Sequence, residues 1–363
     1  MLSLPTKRGD PGPGARGSGL NTLRRLALGL SLGCAPFLFG CSTSTPAEPL
    51  QRFEFTRPAM GTLFTITLYA PAAPQAKAAA QAAFKRIDAL EDIMSDYQAD
   101  SELMRLCEQP VGKPVPVSPE LFDVLQRSQK ISEISGGAFD VTIGPYVRLW
   151  RFARKRKVLP TAAELASASA AVGYKNLRLD PRARAVTLLA PNMRLDLGGI
   201  AKGYAADEAL KLLRGRGIGR ALVAASGDIA IGDAPPGQAG WRVGIAGIDA
   251  RTNSLTRTVL LRNAGISTSG DTEQFIEIGG VRYSHILNPA TGLGLTNRIQ
   301  ATVIAPDATT TDAMATTVCI LGAQRGLRVV DRLRGAAALV LVKQDGQTQR
   351  MVSRRFERIT SRK

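Results

Sequence analysis

Short turns between runs of alternating apolar and polar residues constrain the fold of this chain most. The dipeptide Gly279-Gly280 separates the runs FIEI and VRYSHIL, and Asp345-Gly346 separates AALVLVKQ from QTQRMV. Turn dipeptides in this setting predict β-hairpins, whose strands are antiparallel. The segment FEFTRPAMGTLFTITLYA predicts a strand or a further hairpin, broken near Pro58 to Gly61. We therefore expect mixed sheets rather than a doubly wound parallel sheet.

Helical spacing of apolar residues predicts helices among these strands. Ser118 as N-cap favours the helix at 119–135, and Thr161 with Glu164 has the pattern of a capping box. The predicted helices lie at residues 73–95, 119–135, 161–173, 200–214, 309–321 and 323–333. No linker rich in proline and serine divides the chain, so we expect an α+β protein with helices flanking the sheets, in a single two-lobed domain at residues 52–363.

Residues 1–40 have the composition of a secretion signal. Five basic residues precede the apolar stretch LALGLSLGCAPFLFG, which is too short for a convincing membrane span. It ends in Leu38-Phe39-Gly40-Cys41, which resembles a bacterial lipobox, so we expect lipidation of Cys41; Ser42 favours the outer membrane. An ordinary signal peptide with an incidental Cys41 is the alternative. Residues 41–51 are then a tether, and the chain is exported, lipid-anchored and on the periplasmic side of the membrane.

The chain is strongly basic. It has 47 Lys and Arg against 30 Asp and Glu, and a formal charge of about +13 remains once residues 1–40, with five basic residues and one acidic, are removed. Such an excess suits nucleic acid, an anionic membrane surface or a phosphorylated ligand. Export argues against nucleic acid. The cations are scattered, with the densest runs at 151–157 and 350–363, which favours a solvated basic surface.

The only histidine of the chain is His285, and this excludes whole classes of active site. A zinc site with two histidines is impossible, and a Ser-His-Asp hydrolase would need this residue, while the chain has no GxSxG sequence. His285 lies in a predicted strand, SHIL, where it could equally be an ordinary polar residue. After Cys41 only Cys107 and Cys319 remain; they could pair, or Cys319 could be a small buried side chain.

Two segments carry side chains suited to a phosphate group and a metal. In MRLDLGGIAKGYAAD a predicted strand ends at Asp196, and a glycine turn leads to a helix with Lys202 in its first turns. Such a turn could bind a phosphate group or could equally be an ordinary connection between a strand and a helix. In APDATTTDAMATT, Asp312 and Thr316 are four residues apart on one helix face and could hold Mg²⁺. Capping of that helix by residues 309–312 is the alternative.

Three further loops place an aspartate beside small residues. They are GGAFDVT with Asp140, ASGDIAIGD with Asp228 and STSGD with Asp271. Any turn can have this composition, and sequence spacing does not bring the acids together. With Asp196 and Asp312 they supply enough carboxylates for a site that binds a metal and forms hydrogen bonds.

Taken in order, these segments resemble the ApbE-type FAD:protein FMN transferases, which are exported, Mg²⁺-dependent and commonly lipid-anchored. The matching sequences span nearly all of the chain beyond the tether: PAMGT, SDYQADSEL, GGAFDVTIGPYVRLW, LDLGGIAKGYAAD, ALVAASGDI, STSGD, RYSHILNPATG and VIAPDATTTDAMAT. The resemblance implies an ApbE-like fold and transfer of FMN from FAD onto a Thr or Ser hydroxyl of an exported or membrane redox protein, with release of AMP. It also implies acceptors of the sodium-pumping or Rnf type, or a denitrification-associated flavoprotein.

The resemblance further implies roles for individual residues. Mg²⁺ would be held by the backbone carbonyl of Gly199 and the side chains of Asp312 and Thr316. We hypothesise that His285 deprotonates the acceptor hydroxyl and that Asp271 orients it or substitutes for it. The residues implied to line the FAD site are Met60, Tyr97, Ala138, Phe139, Asp140, Asp196, Lys202 and Ile286.

The chain departs from the family pattern at a few positions. Asn288 stands where the family often has an aspartate, and Ala224 and Ser226 stand in a segment that usually reads VNAGGD. The implied metal and FAD positions are intact. Two other functions remain open: an FAD pyrophosphatase, in which water replaces the acceptor hydroxyl and FMN and AMP are released, and a non-catalytic flavin-binding lipoprotein. The metal ligands favour an enzyme.

Overall fold

One large sheet lies at the centre of the protein, and every neighbouring pair of its strands is antiparallel. The computed structural model describes residues 49–248, 255–270 and 274–360. In spatial order the eight strands of this sheet are β1 (Gln51–Ala59), β2 (Thr62–Ala70), β6 (Ala221–Ala225), β7 (Asp228–Ile231), β10 (Ala264–Gly270), β13 (Arg298–Ala305), β14 (Ala337–Gln344) and β15 (Gln347–Val352).

Shorter strands form three small antiparallel sheets beside the large one. One has three strands, in the order β3 (Val115–Pro116), β5 (Ala185–Leu188) and β4 (Leu177–Asp180). The other two are hairpins: β8 (Trp241–Ala246) with β9 (Leu255–Leu261), and β11 (Phe275–Ile278) with β12 (Val281–Ser284).

The helices lie between these strands in the chain. They are α1 (Ala73–Met94), α2 (Glu102–Cys107), α3 (Pro119–Ser135), α4 (Gly144–Arg156), α5 (Ala162–Ser169), α6 (Ala201–Gly215), α7 (Ala308–Arg332) and α8 (Phe356–Thr360). In α7 the backbone is kinked at Gly322, where φ is 73°. Among the described residues, no helix is both long enough and apolar enough to cross a lipid bilayer.

The two faces of the large sheet are covered by different elements. Alternate residues of β13 point to opposite faces, so Ala301 and Val303 join the core beneath α1, α6 and α7, while Ile304 joins a second cluster. That second cluster also contains Trp241 from β8 and Phe356 from α8. The fold is therefore a sheet with helices on one face and a hairpin with a short helix on the other.

Most of the predicted elements are present. The hairpins turn at Gly279-Gly280 and Asp345-Gly346, as predicted, and the two predicted helices at 309–321 and 323–333 are the halves of α7 on either side of its kink. The capping box of Thr161 and Glu164 is formed. The α+β class with flanking helices is confirmed, and the strands of all four sheets pair antiparallel.

Some local predictions were wrong. The segment MRLDLGG is not a strand, since only Arg194 makes an isolated bridge, to Ile143. The alternate residues Met193, Leu195 and Leu197 are buried, so the alternating pattern reflects packing and not pairing in a sheet. The helix that starts after Thr161 ends at Ser169 rather than near 173.

Several sequence predictions concern the N-terminal part of the chain. The proposed signal peptide at 1–40, Cys41 and the tether up to residue 48 lie outside the described residues. The end of the predicted tether, Gln51, is the first residue of β1. The residues that the structure describes form one compact unit.

Candidate functional site

The helices α6 and α7 approach each other closely at Gly203. A Cβ atom at this position would lie 2.2 Å from the carbonyl oxygen of Ala308 and 2.9 Å from Cβ of Asp312. No side chain fits there, because real Cβ contacts are not this short. The glycine of the AKG sequence therefore allows the backbone of α6 to meet the first turns of α7.

This close approach brings three charged side chains together. The ammonium group of Lys202 pairs with the carboxylate of Asp228 and lies 3.6 Å from Oδ1 of Asp312. The other oxygen of Asp312, Oδ2, accepts a hydrogen bond from the backbone N–H of Gly203 at 3.0 Å. Two of the candidate carboxylates, which lie 84 residues apart in the chain, thus meet at one lysine.

Burial governs the electrostatics of this cluster. Burial and the neighbouring carboxylate of Asp228 raise the pKa of Asp312 to about 7, although Lys202 opposes the shift. Burial lowers the pKa of Lys202, but Asp312 and Asp228 outweigh it and raise the pKa above its ordinary value. The lysine is therefore a permanent cation in contact with two buried carboxylates.

Capping of α7 does not explain Asp312. The N-cap residue of α7 is Asp307, whose Oδ1 accepts from the N–H of Thr310 at 2.8 Å. Asp312 lies one turn further on, and its only hydrogen-bonded N–H partner among the described residues is Gly203, on the other helix. The capping alternative for this side chain is wrong.

Oxygen donors from two segments also meet here. A Cβ atom on Gly199 would lie 3.3 Å from Cε2 of Phe139 and 3.7 Å from Oγ1 of Thr316. The hydroxyl of Thr316 lies 3.3 Å from that of Ser269 and one helical turn from Asp312. A carboxylate, a hydroxyl and a backbone carbonyl are hard oxygen donors, so the residues fit Mg²⁺. No group of three or more His, Cys, Asp and Glu side chains that could hold a metal occurs among the described residues.

A second acidic site adjoins this one. The carboxylate of Asp196 accepts from the N–H of Gly198 at 2.7 Å, and the N–H of Asp196 donates to the carbonyl of Val141 at 2.8 Å. Burial and the charge of Asp96 raise the pKa of Asp196 to about 6, while Arg151 opposes the shift. The bond from Asp196 to Val141 joins the LDLGG turn to the GGAFDVT loop.

Arg151, which no sequence motif indicated, connects the carboxylate of Asp96 to the ring of Tyr97. Arg151 on α4 pairs with Asp96, and its guanidinium carbon lies 3.9 Å from the centroid of the Tyr97 ring. The ring is 80% exposed, so its other face is open to a ligand. Asp96 could have been noticed as the neighbour of Tyr97 in SDYQAD, but Arg151 could not, because α4 was not predicted.

Asp140 has a structural explanation. Its Oδ1 accepts from both the N–H and the hydroxyl of Thr142, at 2.8 and 2.7 Å, and burial raises its pKa. The Thr142 hydroxyl in turn accepts from the N–H of Gly173 at 2.7 Å. Asp140 thus holds the loop that contains the half-buried Ala138 and the buried Phe139. Of these two residues, Phe139 lies beside Gly199.

Two more residues from the expected FAD site are at turns. Met60 begins the β1–β2 turn with a φ of 49°, and it is half-buried. Ile286 is buried in the main core, its N–H donates to the Ser284 hydroxyl, and its carbonyl accepts from Leu295. Its side chain therefore packs inward, away from solvent.

His285 is exposed and follows the last residue of β12, rather than lying within the strand as predicted. Its backbone N–H and its Nδ1 both contact the carbonyl oxygen of Gln274, at 3.1 and 3.0 Å. A carbonyl oxygen only accepts, so Nδ1 carries the proton in this bond and Nε2 is the basic nitrogen of the neutral ring. Asp271, its hypothesised helper, lies outside the described residues.

Known proteins with similar sequences and similar structures belong to one family. The model of the ApbE family matches residues 60–340. The chain is 33% identical over 336 residues to the FAD:protein FMN transferase of Salmonella typhimurium (90% of this chain, 95% of that protein) and 32% identical over 324 residues to that of Klebsiella pneumoniae (86% and 91%). The solved flavin transferase ApbE from Vibrio cholerae superposes with a TM-score of 0.78 at 30% identity, covering 86% of this chain and all of that one. The order of the motifs, the architecture and these matches together establish that this chain belongs to the ApbE family.

Proposed function

We propose that this chain is an Mg²⁺-dependent FAD:protein FMN transferase. It moves FMN from FAD to a Thr or Ser hydroxyl of an exported or membrane redox protein and releases AMP. The observation that carries the proposal is the meeting of Asp312 and Thr316 on α7 with Gly199 and Lys202 at the start of α6. Relatives named FAD:protein FMN transferase align with nearly the whole chain.

The oxygens of Asp312 and Thr316 and the carbonyl of Gly199 would hold the metal. Mg²⁺ bound there supplies charge neutralisation at the pyrophosphate of FAD. Lys202 is a fixed cation in the same place, and it stabilises negative charge that develops on the phosphate groups. Because Asp228 and Asp312 hold the ammonium group, its position needs no rearrangement when FAD binds.

The substrate flavin lies near Tyr97 and Asp196 in this proposal. One face of the exposed Tyr97 ring is covered by Arg151, and the other is available for stacking. The LDLGG turn and the GGAFDVT loop, joined by the bond from Asp196 to Val141, bring this region next to Gly199.

His285 acts as the general base. The acceptor hydroxyl oxygen forms a bond to the phosphorus of the FMN half of FAD, and the bond from that phosphorus to the AMP oxygen breaks. The hydroxyl proton passes to Nε2 of His285, while Nδ1–H stays bonded to the Gln274 carbonyl, which holds the ring in one orientation. AMP leaves as an anionic phosphate.

Lipidation of Cys41 would keep this domain on the periplasmic side of a bacterial membrane, with the outer membrane favoured by Ser42. This part of the proposal is based on the sequence of residues 1–42 alone. Metabolic labelling with an alkyne fatty acid tests it, since Cys41→Ser should abolish labelling and the uncleaved chain should accumulate. Labelling that survives this substitution would contradict it.

Incubation of the full chain in detergent with FAD, Mg²⁺ and an exported redox subunit, followed by mass spectrometry, tests the transfer. A covalent FMN adduct is expected; free FMN and AMP without an adduct would indicate a pyrophosphatase, and untouched FAD a non-catalytic binder. Asp312→Asn should weaken Mg²⁺ binding, measured by calorimetry, at least about tenfold and slow transfer. Asp307→Asn, the same change at the N-cap of the same helix, is the control and should alter neither.

A further inference from the structure

The outer face of α4 is basic. The helix packs Tyr146, Trp150 and Ala153 inward, into a core cluster of their own. At 100° per residue, Arg148 and Lys155 project from the opposite face, and both are exposed. Phe152 lies between them on this face and is 46% exposed.

The basic surface continues through the last turn of the helix, which contains Arg154 and Arg156, to Lys157 and Val158 just beyond it. Arg154, Arg156, Lys157 and Val158 are all exposed, and Val158 is 62% accessible. We call these residues, together with Arg148, Phe152 and Lys155, the α4 basic face.

The α4 basic face has little compensating charge nearby, since in the part of the chain that the structure describes only Glu164 acts on one of its cations, Arg156. The sequence has no acidic residue from 141 to 163. Glu164, the first one after that, bonds to the N–H and hydroxyl of Thr161. Among the described residues no carboxylate forms an ion pair with any cation of this face. Charges that a protein leaves unpaired on one exposed surface attract a partner of opposite sign.

The helix α4 contacts the candidate site on two sides. Arg151, on the same helix, covers one side of the Tyr97 ring and pairs with Asp96. On the inner side, the indole N–H of Trp150 donates to the carbonyl of Gly292 at 2.7 Å, and its ring lies 5.4 Å from that of Tyr283. Tyr283 and Gly292 belong to RYSHILNPATG, the segment that contains His285. The segment with His285 therefore packs against the inner side of α4, and a partner on the outer face would be held beside Arg151 and Tyr97, where the flavin is proposed to lie.

The face lies far from the start of the described chain. Strand β1 runs from Gln51 to the turn at Met60, about 30 Å at 3.3 Å per residue. Residues of this turn and Glu91, near the end of α1, line the same concave surface. Tyr97 follows shortly after α1 ends, so the α4 basic face is at the end of the sheet opposite Gln51, the residue closest to the proposed lipid anchor. This arrangement favours a protein over the anchoring membrane as the partner.

We infer that the α4 basic face is the docking surface for an acidic segment of the protein that accepts FMN. The cations of the face attract carboxylates and steer the acceptor toward the site, while Phe152 and Val158 supply apolar contact at the centre of the interface. The inference rests on the proposed transfer to a protein, and it adds what the enzyme recognises on that protein apart from the modified hydroxyl.

A pair of charge reversals tests the inference in the full chain. The probe is a fluorescein-labelled peptide of alternating Asp, Glu and Leu residues, with an isostere in which Asn and Gln replace the acids, and binding is measured by fluorescence anisotropy at low ionic strength. Wild type should bind the acidic peptide about tenfold tighter than the isostere. Arg148→Glu/Lys155→Glu should weaken this binding about tenfold or more. Arg325→Glu/Arg328→Glu, the same change of charge on exposed positions of α7, should weaken it less than about twofold.

Three results would overturn the inference. Equal weakening in both double variants would assign the binding to net charge, and equal affinity for the two peptides would exclude charge altogether. Retained peptide affinity in Arg148→Glu/Lys155→Glu, with lost sedimentation on phosphatidylglycerol vesicles, would make the face a lipid surface instead. FAD binding, measured by flavin fluorescence, should be unchanged in all variants. A chain that binds the peptide in this way but forms no FMN adduct would contradict the proposed function and not the docking surface.

Discussion

The Oδ2 atom of Asp207 accepts two hydrogen bonds from Thr309, one from the backbone N–H at 2.8 Å and one from the hydroxyl at 2.6 Å. Its Oδ1 accepts a third, from the N–H of Ala308 at 2.9 Å. Asp207 lies on α6, one turn and a half beyond Lys202, and Thr309 is the second residue of α7, one turn before Asp312. The contact therefore fixes the relative position of the two helices that carry the candidate metal ligands.

Asp207→Ala should loosen this junction. Three N–H and O–H groups lose their acceptor in a buried place, so the free energy of unfolding should fall by about 1–3 kcal/mol. Since the junction positions Asp312 against the start of α6, the Mg²⁺ concentration that gives half-maximal FMN transfer should also rise. Urea unfolding and a Mg²⁺ titration of transfer measure the two effects.

The matched control is Asp307→Ala. Asp307 caps the same helix by accepting from Thr310, and none of its side-chain hydrogen bonds among the described residues is to α6. The substitution should cost about 1 kcal/mol and leave the Mg²⁺ requirement unchanged. An equal shift of the Mg²⁺ requirement in both variants would mean that general stability, and not the junction, controls the metal site.

His285→Ala should slow FMN transfer by roughly 10²–10⁴-fold, as expected for the loss of a general base. His285→Gln is the sharper variant, because its side-chain amide can still donate to the Gln274 carbonyl but provides no basic nitrogen. Both variants should bind FAD as wild type does. Single-turnover transfer followed by in-gel flavin fluorescence measures the rate, and a wild-type rate in either variant would contradict the role of His285 as the base.

The sequence predicts the fold well where local patterns carry the information. Hairpin turns, helix caps and the i,i+4 pair of Asp312 and Thr316 depend on neighbouring residues, and all of them are present. The segment from Met193 to Leu197 shows the limit of such patterns: alternation reports which side chains are buried, and a backbone can bury alternate residues without pairing in a sheet.

The site is less predictable, because it is made by contacts between distant segments. Asp228 meets Lys202 only because β7 lies beneath α6, and Arg151 reaches Tyr97 only through the placement of α4. The resemblance to the ApbE family groups Lys202, Asp312 and Thr316 at one site by analogy, but it assigns no role to Asp228 or Arg151. The five candidate acids of the sequence are Asp140, Asp196, Asp228, Asp271 and Asp312. Without the resemblance, nothing in their spacing shows that Asp228 and Asp312 share Lys202.

Cys107 should be a poor nucleophile in the folded protein. Burial raises the pKa of its thiol to about 11, although the N–H of Leu195 donates to the sulfur and opposes the shift. Near pH 8 the thiolate fraction should then be about 100-fold below that of an unfolded thiol. The measurement is alkylation by iodoacetamide in Cys34→Ser/Cys41→Ser/Cys319→Ser, which leaves Cys107 as the one reactive thiol. Alkylation at the rate of the urea-unfolded variant would show that the thiol is not shielded.

Arg86 joins two helices to α1 through carboxylates. Its guanidinium donates to Glu120 on α3 at 2.9 Å and to Glu208 on α6 at 2.7 Å, and all three side chains are at least three-quarters shielded from solvent. Burial alone would raise the pKa of Glu208, but the hydrogen bonds from Arg86 and Lys211 lower it below its ordinary value of 4.5. The charged form of Glu208 thus stabilises the fold.

Arg86→Met should therefore destabilise the protein in a manner that depends on pH. A carboxyl whose pKa is lower in the folded state contributes stability above its unfolded pKa, and that contribution disappears as the pH falls through the folded value. The variant should lose about 1–2 kcal/mol at pH 7, and the difference from wild type should shrink as the pH falls from about 5 toward 3. Arg127→Met, which breaks more exposed pairs with Asp123 and Asp307, should cost less than about 0.5 kcal/mol per pair. Urea unfolding across this pH range measures both, and a loss in Arg86→Met that stays constant down to pH 3 would mean that the lost packing of the arginine, not its charge, is responsible.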